Sequence, residues 1–118
     1  MITLFLPLPP SVNKVWQPVS TRKGARMIKR AASRDWANSA RWEVLAQRLG
    51  QQIDQPFEAI IVMPKFRGDV DNRLKQLLDA CQAGGAITND KYCHRLVVER
   101  DDTREGNVEI NLIPIIHS

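Results

Sequence analysis

Acidic residues are missing from the first 34 positions. Asp35 is the earliest, while Lys14, Arg22, Lys23, Arg26, Lys29, Arg30 and Arg34 all precede it. A segment charged so one-sidedly suits a polyanion, because each phosphate it neutralises releases condensed counterions. The excess is local: the other 84 residues hold 10 basic and 13 acidic side chains, so the net +4 belongs to this one stretch.

Other scarcities exclude whole classes. Two cysteines, Cys81 and Cys93, make no disulfide framework, which favours a reducing compartment. No apolar run approaches the roughly 20 residues of a membrane span, and the start has neither the basic nor the long apolar region of a secretory leader. A cytoplasmic protein with no membrane partner is therefore expected. No glycine-rich phosphate loop and no Ser-His-Asp order is present, so neither a nucleotide cofactor nor covalent catalysis is expected. His94 and His117 fall into no metal spacing with the cysteines and receive no catalytic role. With 118 residues and no internal repeat, the chain is expected to form one domain (1–118) that builds its core without staples.

What the chain does have is a concentration of carboxylates beside basic residues between positions 64 and 90. Asp69, Asp71 and Asn72 lie just ahead of Lys75, and Asp90 follows the Gly84-Gly85 pair. Such a cluster builds a core poorly and can hold a divalent cation against a phosphate. Val70, Leu74, Leu77, Leu78 and Cys81 recur at the spacing of one apolar helical face, predicting a helix over 71–83 with Asp71 as N-cap and the glycine pair as stop. Asp71, Lys75 and Asp79 then share its polar face. Upstream, Phe57 to Met63 reads as a strand buried on both faces along its second half and closed by Pro64, so the acids fall at a strand-to-helix junction. Asp71 with Lys75 alone would suit any solvated helix. Asp69 changes the balance, because two acids two residues apart repel unless a cation, a proton or an arginine such as Arg67 or Arg73 lies between them.

The stretch Asp69-Val70-Asp71-Asn72-Arg73-Leu74-Lys75, followed by Asp79, the glycine pair and Asn89-Asp90, resembles the signature of the RusA family of Holliday junction resolvases. The opening Leu6-Pro7-Leu8-Pro9-Pro10-Ser11-Val12-Asn13 resembles that family's first strand and its Pro-Pro-Ser-x-Asn turn. The resemblance spans most of the chain and is weakest over 15–55. It implies a magnesium-dependent endonuclease that cuts four-way DNA junctions, acts as a homodimer because resolution needs paired nicks, and in many relatives comes from a prophage. Gly68 departs from the pattern, occupying a place often basic in relatives and leaving Lys65 and Arg67 as the nearest substitutes.

The donor chemistry agrees with that implication. Hard oxygen ligands favour Mg²⁺, with Mn²⁺ as a substitute, and Asp69, Asp71 and Asp90 are the expected ligands. Lys75 is expected to stabilise charge on the phosphate or leaving oxygen, and Asn72 and Asp79 to support from behind. Asn13, Lys14, Arg22, Lys23, Arg26, Lys29, Arg30, Arg67 and Arg73 are the expected DNA contacts.

The remaining elements complete an α+β reading. Residues 2–6 form a strand with Ile2, Leu4 and Leu6 facing one way, and 11–32 lack a period and read as a basic loop or arm. A helix is expected over 34–49, with Ser33 as N-cap, Gly50 as stop, and an apolar stripe of Trp36, Ala37, Ala40 and Val44 widened by Trp42, Leu45 and Leu49. Strands at 92–100 and 108–112 are expected to pair as a hairpin. The order β-α-β-α-β-β predicts a mixed sheet with two helices. Two other readings remain: a non-catalytic basic DNA-binding module, which leaves the three acids unexplained, and another Mg²⁺-dependent phosphoryl or glycosyl transferase, for which the chain is short and shows no nucleotide cradle.

Overall fold

The computed structural model describes residues 1–10, 16–21, 24–29, 31–68 and 70–116, over 16–29 as backbone only. The elements are β1 (Ile2–Pro7), β2 (Trp16–Thr21), β3 (Gly24–Lys29), α1 (Ala31–Gln47), β4 (Phe57–Met63), α2 (Val70–Ala83), a 3₁₀ turn (Asp90–Tyr92), β5 (Cys93–Arg100) and β6 (Asn107–Pro114). This is the expected α+β domain with two helices and a mixed sheet, to which β2 and β3 add a separate antiparallel ribbon. The ribbon stands where the sequence alone suggests a loop. The sequence of 16–29 shows no clear alternation, and Pro18 within β2 masks the strand signal further.

The four-stranded sheet runs β1-β6-β4-β5, with β4 and β5 parallel and the other neighbours antiparallel. Alternation decides its faces. Ile2, Leu4 and Leu6 of β1, Phe57, Ala59, Ile61 and Met63 of β4, and Val108, Ile110 and Leu112 of β6 are buried against Trp36, Ala40 and Val44 of α1 and Leu77, Ala80 and Cys81 of α2. The opposite face of β4 is only half-buried, so the expected two-sided burial is corrected to one side.

The expected β5–β6 hairpin is also corrected. β4 lies between the two strands, and the turn at 101–106 passes its end, where the Asp101 N–H donates to the Met63 carbonyl at 2.9 Å. An alternating strand reveals which face it buries and leaves its neighbour open, and here β6 has its apolar face covered between β1 and β4.

α1 begins at Ala31, so Ser33 lies inside the helix, buried, rather than at its cap. Two alanines with high helix propensity carry the helix upstream of the capping signal. Trp36 is buried and its indole N–H donates to the Pro7 carbonyl at 3.0 Å. Trp42, Leu45 and Leu49, expected to widen the stripe, face outward instead. No described helix is long and apolar enough to cross a membrane.

Candidate active site

α2 starts one residue earlier than the sequence suggests, at Val70, which moves Asp71 from the cap into the first turn, where it is exposed. A carboxylate there still meets the unpaired N–H groups of the helix start. One turn on, the Lys75 ammonium lies 3.1 Å from Asp79 Oδ1 and 3.3 Å from Asp90 Oδ2. The lysine thus joins an acid of its own helix to one that sequence places 15 residues away. Hydrogen bonding to Asp79 first, and to Asp90 second, raises its pKa above the ordinary lysine value, so it remains a cation.

Asp90 is delivered to that lysine by the way α2 ends. Gly85, at φ 85°, takes the left-handed conformation that a Schellman stop requires, with the Ala86 N–H donating to the Cys81 carbonyl and the Gly85 N–H to that of Gln82. The chain then returns along the 51–56 linker: an isolated parallel bridge joins Ile53 to Ile87, and the Thr88 hydroxyl donates to Asp54 Oδ1 at 2.6 Å. Asn89 Oδ1 accepts from the Lys91 N–H and caps the 3₁₀ turn. Gln82 Oε1 accepts from the Asp90 N–H at 3.0 Å. Backbone and carboxylate of Asp90 are therefore both held by side chains of α2.

The loop between β4 and α2 is fixed by a different device. The Phe66 ring lies between two guanidinium groups, Arg73 at 4.6 Å and Arg100 at 4.9 Å from its centroid. Arg73 Nε donates to the Pro9 carbonyl at 3.2 Å, and Arg100 donates to the Phe66 carbonyl and to Asp102. Arg73 is 3% exposed, which corrects its assignment as a DNA contact: the group ties the proline-rich end of β1 to α2 and is covered by protein. Gly68 has φ 94°, a conformation that side chains other than glycine's rarely adopt, which gives a backbone reason for the departure at this position.

The structure thus brings Lys75, Asp79 and Asp90 together, with Asp71 one turn before Lys75 on the same helix and Asn72 beside it in the first turn. Asp69 lies outside the described residues, as do Asn13, Lys14, Arg22, Lys23 and Arg30; Arg67 is exposed, and Arg26 and Lys29 lie in β3, paired with Val19 and Trp16. Among the described residues no group of three or more acidic, histidine or cysteine side chains is close enough to hold a metal. Two contributors were missed from sequence. Gln82 follows Lys75 and Asp79 at i+7 and i+3 on one helical face, a spacing that would have revealed it. Arg100, a distant strand residue, gives no local signal.

Comparison with known proteins follows the same outline. The family model described as Endodeoxyribonuclease RusA matches residues 7–113. A crossover junction endodeoxyribonuclease RusA from Aquifex aeolicus (strain VF5) is 34% identical over 113 residues, which cover 92% of this chain and 86% of that protein. The matched span runs from the end of β1 through both helices to β6, and includes every acid and lysine of the candidate site.

Proposed function

This chain belongs to the RusA family of endodeoxyribonucleases, and from that premise we propose that it resolves four-way (Holliday) DNA junctions, in recombination and repair, by metal-dependent hydrolysis of paired phosphodiester bonds. The observation that carries the reading is the Lys75 ammonium held between Asp79 and Asp90, on the helix whose first turn bears Asp71.

The donors suit a hard cation. Asp71 is exposed, the Asp90 side chain is 36% exposed, and both offer hard carboxylate oxygens. Together with Asp69 they would hold Mg²⁺, or Mn²⁺ in its place, which keeps several waters and takes up phosphate oxygens. Bound there, the ion supplies Lewis-acid polarisation of the phosphate and a more acidic water. The chain's own part is positional and electrostatic. Lys75 offers a fixed cation to the charge that develops on the phosphate or on the departing 3′ oxygen, while Asp79 and Asn72 orient the neighbouring groups. Arg67 and the basic arm, with Asn13, Lys14, Arg22, Lys23, Arg26, Lys29 and Arg30, bind the DNA backbone.

A four-way junction has two-fold symmetry, and one site per chain implies a homodimer with two sites. No nucleotide cofactor is required. The test is incubation of the protein with synthetic four-way junction, duplex and single-stranded DNA, with Mg²⁺ or with chelator. Metal-dependent paired nicks in the junction alone are expected. Tight junction binding with no product under Mg²⁺ would instead indicate a non-catalytic DNA-binding module.

A further inference from the structure

The two edges of the sheet are treated differently. On β1, the side chain of Gln47 occupies the free edge: its Oε1 accepts from the Phe5 N–H at 2.7 Å and its Nε2 donates to the Phe5 carbonyl at 2.9 Å. A side chain that satisfies outward backbone groups blocks the addition of another strand, and Pro7 at the end of β1 adds to the block. The other edge, β5, has eight residues and no proline. Its first residue makes a weak local bond, from the Cys93 thiol to the Arg95 carbonyl at 3.5 Å, and among the described residues no side chain lies along this edge as Gln47 lies along β1.

β5 is also the one strand of the sheet whose helix-side residues are uncovered. Its register sets Leu96 beside Ala59 and Val98 beside Ile61, on the face that β4 buries completely, yet Leu96 is 41% and Val98 37% exposed. Beside them lies an open groove of about 420 Å³ lined by Met63, Phe66, Val70, Val98 and Arg100. On the opposite face of β5 stand Arg95, level with Glu58, and Glu99, level with Val62.

We propose that β5 is the seam of the homodimer, pairing antiparallel with β5 of a second copy about a two-fold axis through Val97 and perpendicular to the sheet. The proposal rests on the homodimeric reading above and adds to it the surface and the register. Centred on Val97, Leu96 faces the partner subunit's Val98 and Arg95 faces the partner subunit's Glu99, each pair occurring twice, with His94 opposite the partner subunit's Arg100 at the ends of the paired stretch. A centre one residue later sets Leu96 against Arg100, and a centre one residue earlier sets Val98 against His94 and separates Arg95 from Glu99. Opposite charges and apolar pairs directly across antiparallel strands stabilise, and like charges there destabilise, so residues 95–99 of β5 are complementary to themselves in this register. The axis keeps both sets of helices on one side of the joined sheet. Each Asp90 precedes its own β5, so the two lie at opposite ends of the seam on that side, where one DNA molecule can meet both sites.

The test is a charge swap read as a dimer dissociation constant by sedimentation, with circular dichroism confirming the fold of each variant. Glu99→Arg sets arginine against arginine twice and should weaken the dimer roughly tenfold or more. Arg95→Glu should do the same, although Arg95 also lies 3.6 Å from Glu58 of its own chain, so Glu99→Arg is the cleaner arm. The double variant Arg95→Glu/Glu99→Arg should restore the dimer. A dimeric native protein indifferent to both single changes, or dissociated by Trp42→Glu and not by Glu99→Arg, overturns the seam and leaves the homodimer standing. A native protein that stays monomeric overturns both.

Discussion

At the scale of single residues, the proposed chemistry turns on one ammonium and the acids around it. Lys75 is held by Asp79 and Asp90 yet its side chain is 67% exposed, so screening leaves its ion pairs little weight in stability. The role proposed for it lies in the reaction. Lys75→Ala should lower the single-turnover rate of junction cleavage at saturating protein by roughly 10²-fold, as loss of one preorganised electrostatic group does, while junction affinity changes far less. A near-normal rate would remove Lys75 from the mechanism. Its folded pKa is raised, so its small stabilising effect is fully present below the ordinary 10.5 and is lost as pH rises through the folded value.

Arg73 makes the opposite case. Its burial and its bond to the Pro9 carbonyl predict that Arg73→Met costs about 1–3 kcal/mol of stability, because a buried carbonyl loses its donor. Thermal unfolding measures that loss, and the salt dependence of DNA binding should not change. From sequence, Arg73 and Lys75 are alike: two cations on one helix beside acids. What separates them is the packing of Phe66 and the end of β1 against the helix, an arrangement that no spacing within α2 encodes.

At the scale of elements, periodicity was informative wherever one face is buried. The alternation of β1 and β6 and the apolar spacing of α2 were legible because burial selects every second residue of a strand and every third or fourth of a helix. Strand partners were not legible, since β6 buries the same face whether its neighbour is β4 or β5. The glycine pair after α2 was legible as a stop, and the structure divides its work. Gly85 supplies the left-handed turn, whereas Gly84 supplies closeness: a Cβ there would stand 2.5 Å from Val44 Cβ and 2.8 Å from the Arg41 carbonyl. Gly84→Ala should therefore force α1 and α2 apart and destabilise the fold by roughly 1–3 kcal/mol, read as a fall in Tm. An unchanged Tm would mean the helices yield at that point without cost. Because the same turn delivers Asp90, the variant should also lose cleavage at temperatures where it remains folded.

At the scale of the whole molecule, charge and chemistry are divided between two regions. The basic ribbon and its flanks carry the positive excess, and α2 with the turn after it carries the acids of the candidate site. The division was legible in the distribution of Asp and Glu along the chain; the ribbon's strand pairing was not, because Pro18 and the mixed sequence of 16–29 show no clear period. Replacing Arg22, Lys23, Arg26, Lys29 and Arg30 by glutamate should weaken binding to every DNA form and flatten the slope of log K against log salt by roughly 0.9 for each phosphate that is no longer neutralised. An unchanged slope would place the ribbon away from DNA.

The most direct test of the central claim, that the acids gathered around Lys75 do the cutting, is a paired measurement on Asp71→Asn and Asp90→Asn. Each keeps the shape of the side chain and removes its charge. Single-turnover cleavage of a synthetic four-way junction in Mg²⁺ and junction affinity in chelator should be measured on the same preparations. The expected result is that cleavage is abolished in both variants while affinity is retained or tightened, since a negative charge beside phosphates has been removed. Native cleavage rates in both would contradict the claim.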